Sequence, residues 1–196
     1  MKQLLAIVGV TAIVLGALVG GLTAPASAQG TTNVPGANKY HQDGEVDPIT
    51  LTGDASQMPL FDKDPSTPAA DPIVMRTSTT GDLVIEVHAE CSTTVNGSNG
   101  NVGVKVHVEV DGQPVPVAEE TGADAGKVDF CDRNLNDPGS MVDTTSSSAG
   151  FKWVAFNVGS GDHTVQAFAD FSVSSGSSAT IGRRLIQVFT TTTQQN

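Results

Sequence analysis

The segment LVIEVHAEC, residues 83–91, alternates apolar and polar side chains with a period of two, and only Val84 breaks the alternation. A strand turns successive side chains to opposite faces of a sheet, so this pattern predicts a strand that is buried on one face. The segment VKVHVEV, residues 104–110, repeats the pattern with valine on one face and polar side chains on the other. Two half-buried strands of this kind indicate an all-β fold whose sheets cover a common core.

Turn and strand signals extend this pattern along the chain. Asp111-Gly112 predicts a two-residue type I′ hairpin, because glycine adopts positive φ at little cost. The returning segment QPVPV, residues 113–117, carries two prolines, which cannot donate to a ladder, so it is predicted to be an edge strand. Further strands are predicted over residues 151–158, 163–171 and 180–191. Together these signals predict an all-β, antiparallel sandwich of about seven strands.

The order of these strands resembles that of immunoglobulin-like and fibronectin-like domains in bacterial secreted or surface modules. The resemblance is carried by the Asp111-Gly112 hairpin and by the segment GSGDHTV, residues 159–165, which is similar to the entry into the penultimate strand of such modules. It covers residues 73–192 and implies an immunoglobulin-like β-sandwich. Because Cys131 lies in the middle loop region of that arrangement, the resemblance implies that a disulfide there would tie a loop to a strand.

The beginning of the chain has the organisation of a secretory signal. Lys2 precedes an apolar run over residues 4–22, and Ala26 and Ala28 fit the small-x-small cleavage pattern. We expect residues 1–28 to be removed and the mature chain to be secreted or held at the cell surface. The alternative is an uncleaved signal that serves as an anchor, and this would be the chain's one predicted link to a membrane.

The mature chain divides by composition into two main parts. Residues 29–71 are rich in Pro, Gly, Asp, Asn and Thr, and they predict an extended, partly disordered arm that is dispensable for folding. One short strand near Ile49 is all that the arm's alternation allows. The sandwich is predicted over residues 72–192, and a polar tail over residues 193–196 follows it.

Composition excludes one class of partner. The 196-residue chain has a formal charge of −11 and a pI near 4.5, so it repels phosphate backbones and we expect no nucleic-acid partner. Aromatic residues make up 5% of the chain, which disfavours a platform on which sugars stack. An extracellular protein or a glycan is the partner that export implies, and the sequence does not choose between them.

The two cysteines, Cys91 and Cys131, are predicted to form a disulfide. Export places them in an oxidising compartment, where thiols pair. The loop that this bond closes has about 40 residues, and in the chain-entropy view it contributes ~4 kcal/mol to stability. Two free thiols are the alternative.

Oxygen-bearing side chains recur through residues 132–143 at the spacing of a calcium-binding loop. The candidate ligands are Asp132, Asn134, Asn136, Ser140 and Asp143. Ca²⁺ takes oxygen ligands from alternate residues of such a loop, but here Asp137 occupies the position of the usual glycine. The simpler interpretation is an ordinary Asx-rich turn around Asp137-Pro138-Gly139. The sequence therefore makes no cofactor certain. Calcium is the candidate that residues 132–143 suggest.

A second metal hypothesis rests on the polar faces of the two alternating strands. If the strands paired as a hairpin, His88 would face His107 with Glu90 beside them, a set that suits Zn²⁺ or Cu²⁺. If the strands lie in different sheets, as the immunoglobulin-like order implies, the histidines never meet. The three residues then belong to solvated outer faces.

No catalytic constellation stands out in the sequence. Ser160, Asp162 and His163 are neighbours on one predicted turn, where their side chains diverge, and no G-x-S-x-G elbow is present. The sequence therefore predicts a non-catalytic secreted or cell-surface module for binding, adhesion or envelope structure. A metal-dependent secreted binder or a small hydrolase is the alternative, and metal analysis of the purified protein separates the two.

Overall fold

The computed structural model describes residues 30–33, 39–61, 72–96, 100–117, 124, 126–134 and 142–191. These residues form strands in two antiparallel sheets, which confirms the predicted all-β sandwich. No helix in the described ranges is long and apolar enough to cross a bilayer. The predicted signal over residues 1–28 and the predicted tail over residues 193–196 lie outside the described residues.

Each sheet contains six strands. The first sheet is built from β1 (Gly30–Asn33), β2 (Lys39–Glu45), β3 (Ile49–Leu51), β6 (Gly81–Asn96), β10 (Val142–Val158) and β12 (Ser178–Thr191). The second is built from β4 (Ala55–Pro59), β5 (Ile73–Thr77), β7 (Asn101–Val110), β8 (Gln113–Pro114), β9 (Val128–Asn134) and β11 (Gly161–Val173). The first sheet has the order β1-β2-β12-β6-β10, with β3 also on β12. The second has the order β4-β11-β7-β8, with β5 also on β11 and β9 also on β7.

The order of the strands differs from the immunoglobulin-like order. The chain crosses from one sheet to the other after β3, β5, β6, β9, β10 and β11. When the short strands that share a neighbour are merged, five strands remain in the first sheet and four in the second. Without β1 at the edge of the first sheet, the remaining eight strands have the double Greek-key arrangement of a jelly roll. The resemblance drawn from the sequence therefore holds for the two-sheet architecture and not for the connections, because crossovers between sheets leave no mark in local alternation.

The predicted hairpin is present. Asp111 and Gly112 have φ angles of 52° and 72°, which a type I′ turn requires at both central positions. β8 follows directly and lies at the edge of the second sheet, as its prolines predict.

The core lies between the sheets and is made by the apolar faces that the alternation predicts. In β6 and β7 the residues that share the apolar face are buried: Leu83, Ile85, Val87, Ala89, Cys91, Val102, Val104, Val106, Val108 and Val110. Trp153 of β10 is buried too, and its indole Nε1 donates a hydrogen bond of 2.9 Å to the Gly126 carbonyl. Phe151 packs against Trp153 at the edge of this core. Phe156, which aromatic character alone would place in the core, is 71% exposed because it lies at a bulge in β10.

The described part of the predicted arm is built into both sheets. β2 and β3 lie along β12, β4 lies along β11, and Leu60 and Phe61 are buried in the core. The sequence analysis found a single strand here because β2 and β4, KYHQDGE and ASQMP, contain few apolar residues and no strict alternation. The boundary between residues 71 and 72 stays a prediction, since residues 62–71 lie outside the described residues.

One buried arginine fixes this segment to the rest of the sandwich. Arg184 follows a bulge in β12 and donates hydrogen bonds to the carbonyl oxygens of Leu60, Asp47 and Gly182, the last two at 2.6 and 3.1 Å. Burial lowers the pKa of Arg184, and the nearby Glu45 and Asp47 carboxylates oppose that effect. The guanidinium therefore serves as a buried donor to three separate stretches of backbone.

The disulfide is formed, and it joins the two sheets. Cys91 lies in β6 of the first sheet and Cys131 in β9 of the second, with their Cα atoms 6.1 Å apart. The expectation that this bond ties a loop to a strand was wrong, because Cys131 is paired in a strand opposite Val104. The crosslink therefore pins one sheet to the other.

Candidate functional site

A groove of about 680 Å³ lies on the outer face of the second sheet. It is lined by residues of β7, β9 and β11, by the start of β4, and by the segment that precedes β9. Its charged side chains are Asp54, Lys105, Asp124, Lys127, Asp129, Asp132 and Asp170. Five carboxylates against two ammonium groups give these residues a formal charge of 2 − 5 = −3. We call these seven residues the acidic groove.

Strand alternation places the centre of the acidic groove on the outside of the sheet. The valines of β7 fill the core, so Gly103 and Lys105 turn to the opposite face. Lys105 lies opposite Asp170 of β11 and opposite Asp129 of β9 in the register of the sheet. Its Nζ atom is 3.2 Å from Oδ1 of Asp124. Lys105 therefore has three carboxylates around it: Asp124, with which it forms an ion pair, and Asp129 and Asp170 on the neighbouring strands.

Asp170 is the most elaborately held carboxylate of the acidic groove. Its Oδ2 atom lies 2.8 Å from Nζ of Lys127, and its Oδ1 atom accepts a hydrogen bond of 2.8 Å from the Gln57 backbone N–H. Gln57 has a φ of 58° at an irregularity in the pairing of β4 with β11, which aims that N–H at the carboxylate. Burial acts to raise the pKa of Asp170, but the hydrogen bonds from Lys127 and Gln57 outweigh it and lower the pKa overall.

The other carboxylates leave acceptor atoms open to the solvent. Asp54 is exposed and uses Oδ1 to accept a hydrogen bond of 2.7 Å from the Val173 N–H. Asp129 and Asp132 are both exposed on β9, and neither has an ion-pair partner among the described residues. A face with fixed ammonium groups and open carboxylate oxygens suits a partner that presents amino, guanidinium or hydroxyl donors.

His107 lies on the same side of the second sheet but is buried. Its ring stacks on Phe168 with centroids 5.4 Å apart, and its Nε2 atom is 3.7 Å from Oε1 of Glu109. Burial lowers the pKa of His107, although the charges of Asp170 and Glu109 act in the opposite direction. Near neutral pH this imidazole is therefore uncharged and packs as an aromatic ring.

The calcium window falls mostly outside the part of the chain that the structure describes. Asp132 lies on the wall of the acidic groove. Asn134 ends β9 and Asp143 lies near the start of β10, but only their backbone is described, and Asn136 and Ser140 are outside the described residues. The set Asp132, Asn134, Asn136, Ser140 and Asp143 therefore stays a prediction.

The structure does not bring the three residues of the second metal hypothesis together. β6 and β7 do not form a hairpin: His88 lies opposite Gly150 and Leu185 in the first sheet, and His107 is buried in the second. Glu90 is bound instead by Arg183, with Oε1 2.6 Å from the guanidinium Nη2. Among the described residues, no three His, Cys, Asp or Glu side chains are arranged to hold a metal ion.

A histidine at the end of the sandwich pairs with a partner that the sequence analysis did not single out. Nδ1 of His163 lies 2.7 Å from Oδ2 of Asp111, the turn residue of the β7–β8 hairpin, and Nε2 lies 2.9 Å from the Gly159 carbonyl. Oδ1 of Asp111 accepts a hydrogen bond of 2.8 Å from the Thr164 N–H. Asp162, the neighbour of His163 in sequence, lies 3.7 Å from Arg76 instead. The histidine thus ties two turns together.

This pair predicts a dependence of stability on pH. The hydrogen bond to Asp111 raises the pKa of His163 above 6.5, and the hydrogen bond from His163 lowers the pKa of Asp111 below 3.8. The pair's stabilisation is therefore lost as the pH rises through the raised pKa of His163, and also as it falls through the lowered pKa of Asp111. Because the site is partly exposed, we expect His163→Gln to cost about 1 kcal/mol near pH 5.5 and much less near pH 9.

The measurement is a pair of thermal melts, of the parent chain and of His163→Gln, at each pH. At the acidic pH the variant should melt a few degrees lower, and near pH 9 the difference should nearly vanish. A melting difference that stays constant from about pH 5.5 to 9 would show that the charged pair contributes nothing.

The acidic groove was missed because its parts come from four separate stretches of sequence. The outward positions of Lys105 and Asp170 follow from alternation alone. What alternation does not give is that β9 and β11 both pair with β7. The chain passes β8 before it reaches β9, and it crosses to the first sheet and back before it reaches β11. Neighbouring strands, and not local motifs, therefore create this site.

Comparisons with known proteins add little to this picture. No family model matches the chain, and no curated protein matches it. Among solved structures, the EclA C-terminal domain, described as a sugar-binding protein, is 11% identical with a TM-score of 0.30, covering 72% of this chain and 78% of its own. The Eiger TNF from S. frugiperda is 12% identical with a TM-score of 0.29, covering 82% and 95%. The infectious bursal disease virus Gt strain structure is 12% identical with a TM-score of 0.35, covering 77% of this chain but 33% of its own. Likeness at this level carries no argument about ligand or activity.

Proposed function

We propose that this chain is an exported, non-catalytic binding module whose partner sits on the acidic groove. The observation that carries the proposal is the groove itself, in which two lysines are held by Asp124 and Asp170 while Asp129 and Asp132 stay open to solvent. Such a fixed pattern of charge needs little reordering when a partner arrives, which favours binding.

The chemistry of the groove supports binding over catalysis. A general acid near neutral pH needs a raised pKa, and the pKa of Asp170, the most buried carboxylate in the groove, is lowered instead. His107 is nearby on the sheet but is buried against Phe168 and is uncharged. Neither group is therefore suited to act as a general acid near neutral pH.

The net charge of the acidic groove favours a basic partner. Seven charged residues with a formal charge of −3 attract lysine and arginine side chains, and the attraction between exposed charges weakens as salt screens it. Among the described residues that line the groove, the one aromatic is Phe171, which is 3% exposed and packs in the core, so these residues offer no ring for stacking on a sugar. We therefore favour a basic segment of an extracellular protein as the partner, and a glycan becomes the alternative outcome of the test.

The test uses octalysine as a simple basic probe. We expect the double variant Asp129→Asn/Asp132→Asn to weaken binding of octalysine by about tenfold, since it removes two open acceptor charges. The matched control is Asp47→Asn/Asp162→Asn, which makes the same change of charge at exposed positions outside the groove. It should change the affinity by less than about twofold.

Calorimetric titration of the three proteins at low salt gives the affinities. Equal weakening in both double variants would show that only the overall charge matters, and would contradict the groove. A third outcome is that octalysine fails to bind while a glycan array shows binding that Asp129→Asn/Asp132→Asn abolishes. That result would keep the acidic groove as the binding site and would replace the basic partner with a glycan.

Calcium is the alternative that one observation supports, because Asp132 belongs both to the calcium window and to the acidic groove. The calcium proposal predicts that excess Ca²⁺ raises the melting temperature by a few degrees over the chelated protein, about 1.4 kcal/mol at ten times the dissociation constant. Asp132→Ala should erase the difference and leave the chelated melt almost unchanged. Identical melts with Ca²⁺ and with chelator would contradict a calcium site at residues 132–143.

A further inference from the structure

The outer edge of β10 is a long strand edge with no partner in the described residues. β10 runs from Val142 to Val158 and pairs with β6 on one side, and it ends the order of the first sheet on the other. A free strand edge presents N–H and C=O groups that form a ladder with any strand that reaches it. The edge is therefore a potential pairing surface of the whole sandwich.

The middle of this edge has none of the usual devices that prevent pairing. Residues 144–151, TTSSSAGF, contain no charged side chain and no proline, although the chain carries a formal charge of −11. The bulge in β10 lies after Ala155, beyond this stretch. Edge strands of soluble proteins are normally protected by charges, prolines or bulges. Residues 144–151 thus form a neutral window in an otherwise acidic molecule.

The same part of β10 overhangs the sandwich. Ser146 and Ser148 share the outer face, and Ser147 belongs by alternation to the face that points to the second sheet, yet all three are exposed. The described part of the second sheet therefore leaves β10 uncovered at these three serines. A strand that approaches this edge meets no obstacle from the described part of the second sheet.

We propose that β10 pairs with β10 of a second copy of this chain, antiparallel and centred on Ser147, so that the first sheets of two copies join into one. A second copy suits this edge because two acidic chains repel each other except where both are neutral, and the neutral window meets itself in a twofold arrangement. An antiparallel pair about Ser147 places Ser146 opposite Ser148 of the second copy, on the outer face. The acidic groove lies on the second sheet, so this pairing and the proposed function are independent.

The experiment introduces charge at these two exposed serines. Ser146→Lys/Ser148→Lys sets lysine opposite lysine across the pairing, and like charges directly opposite each other destabilise a strand pair. We expect the parent chain to move from one toward two copies with rising concentration, as measured by light scattering. The lysine variant should associate at least about tenfold more weakly. The control Thr50→Lys/Thr52→Lys places the same two charges at exposed positions in and directly after β3 of the same sheet, and should associate as the parent does.

Mixing variants of opposite charge gives the decisive measurement. When Ser146→Lys/Ser148→Lys is mixed with Ser146→Asp/Ser148→Asp, the two proteins should form a mixed pair even though neither associates alone. Thermal melts check that every variant is folded. A parent chain that stays monomeric at all concentrations, an unaffected lysine variant, or a mixture that does not pair would each overturn the proposal.

Discussion

Deleting residues 29–61 is expected to abolish the folded sandwich, the opposite of what the composition of this segment indicates. The deletion removes β2 and β3 from β12 and β4 from β11, and it removes Leu60 and Phe61 from the core. Burial of those two side chains alone contributes about 1.5–3 kcal/mol each. The loss of four strands, β1 to β4, also exposes buried residues of both sheets.

The deletion also leaves Arg184 without two of its three acceptors, the carbonyls of Leu60 and Asp47. A buried charge that loses its partners costs about 3–5 kcal/mol. The sum is comparable with the whole stability of a domain, about 5–15 kcal/mol. Far-ultraviolet circular dichroism should show a chain with no cooperative melt.

The matched control for this deletion is the chain that begins at residue 29, which lacks only the predicted signal and should keep its full stability. If the chain that begins at residue 62 melts cooperatively within a few degrees of that control, the deleted strands are dispensable. In that case residues 29–61 would be a dispensable arm in solution, as their composition predicts, and not strands that the sandwich requires.

Removing the disulfide is expected to have the second largest effect. Cys91 and Cys131 are 40 residues apart, and opening a loop of that length costs about 4 kcal/mol in the chain-entropy view. Cys91→Ala/Cys131→Ala also trims a buried side chain from the core. Because the bond joins β6 to β9, the loss acts on the docking of one sheet on the other, and we expect a fall of about 10 °C in the melting temperature.

The measurement compares the double variant with the oxidised parent by thermal and urea unfolding. Reducing the parent with a thiol should lower its melting temperature by a similar amount, which separates loss of the bond from the change of side chain. A double variant that melts with the oxidised parent would show that the two sheets hold together without the crosslink.

The sequence predicted the parts of the fold that are local. The alternation in β6 and β7 placed Leu83 and Val104 in the core, and Asp111-Gly112 gave its turn type, because both depend on neighbours along the chain. The strand order was not predictable, since β7 pairs with β11 only after the chain has crossed to the first sheet for β10 and returned.

The site was less predictable than the fold for the same physical reason. Asp132 was singled out for its spacing within one loop window, but its place beside Lys105 and Asp170 depends on which strands are neighbours. The strands β2 and β4 were missed because their few apolar side chains are held by pairing with β12 and β11 and not by an amphipathic pattern of their own.

The most direct test of the central claim is to map octalysine binding on the protein by amide chemical shifts, with isotope-labelled mature chain at low salt. We expect shifts that saturate together and cluster around Gly103, Asp129, Asp132 and Asp170 on the outer face of the second sheet. We expect no shift beyond the background at Gln187, on the outer face of the first sheet. Saturating shifts centred on the first sheet, or scattered over the whole acidic surface, would contradict a binding site in the acidic groove.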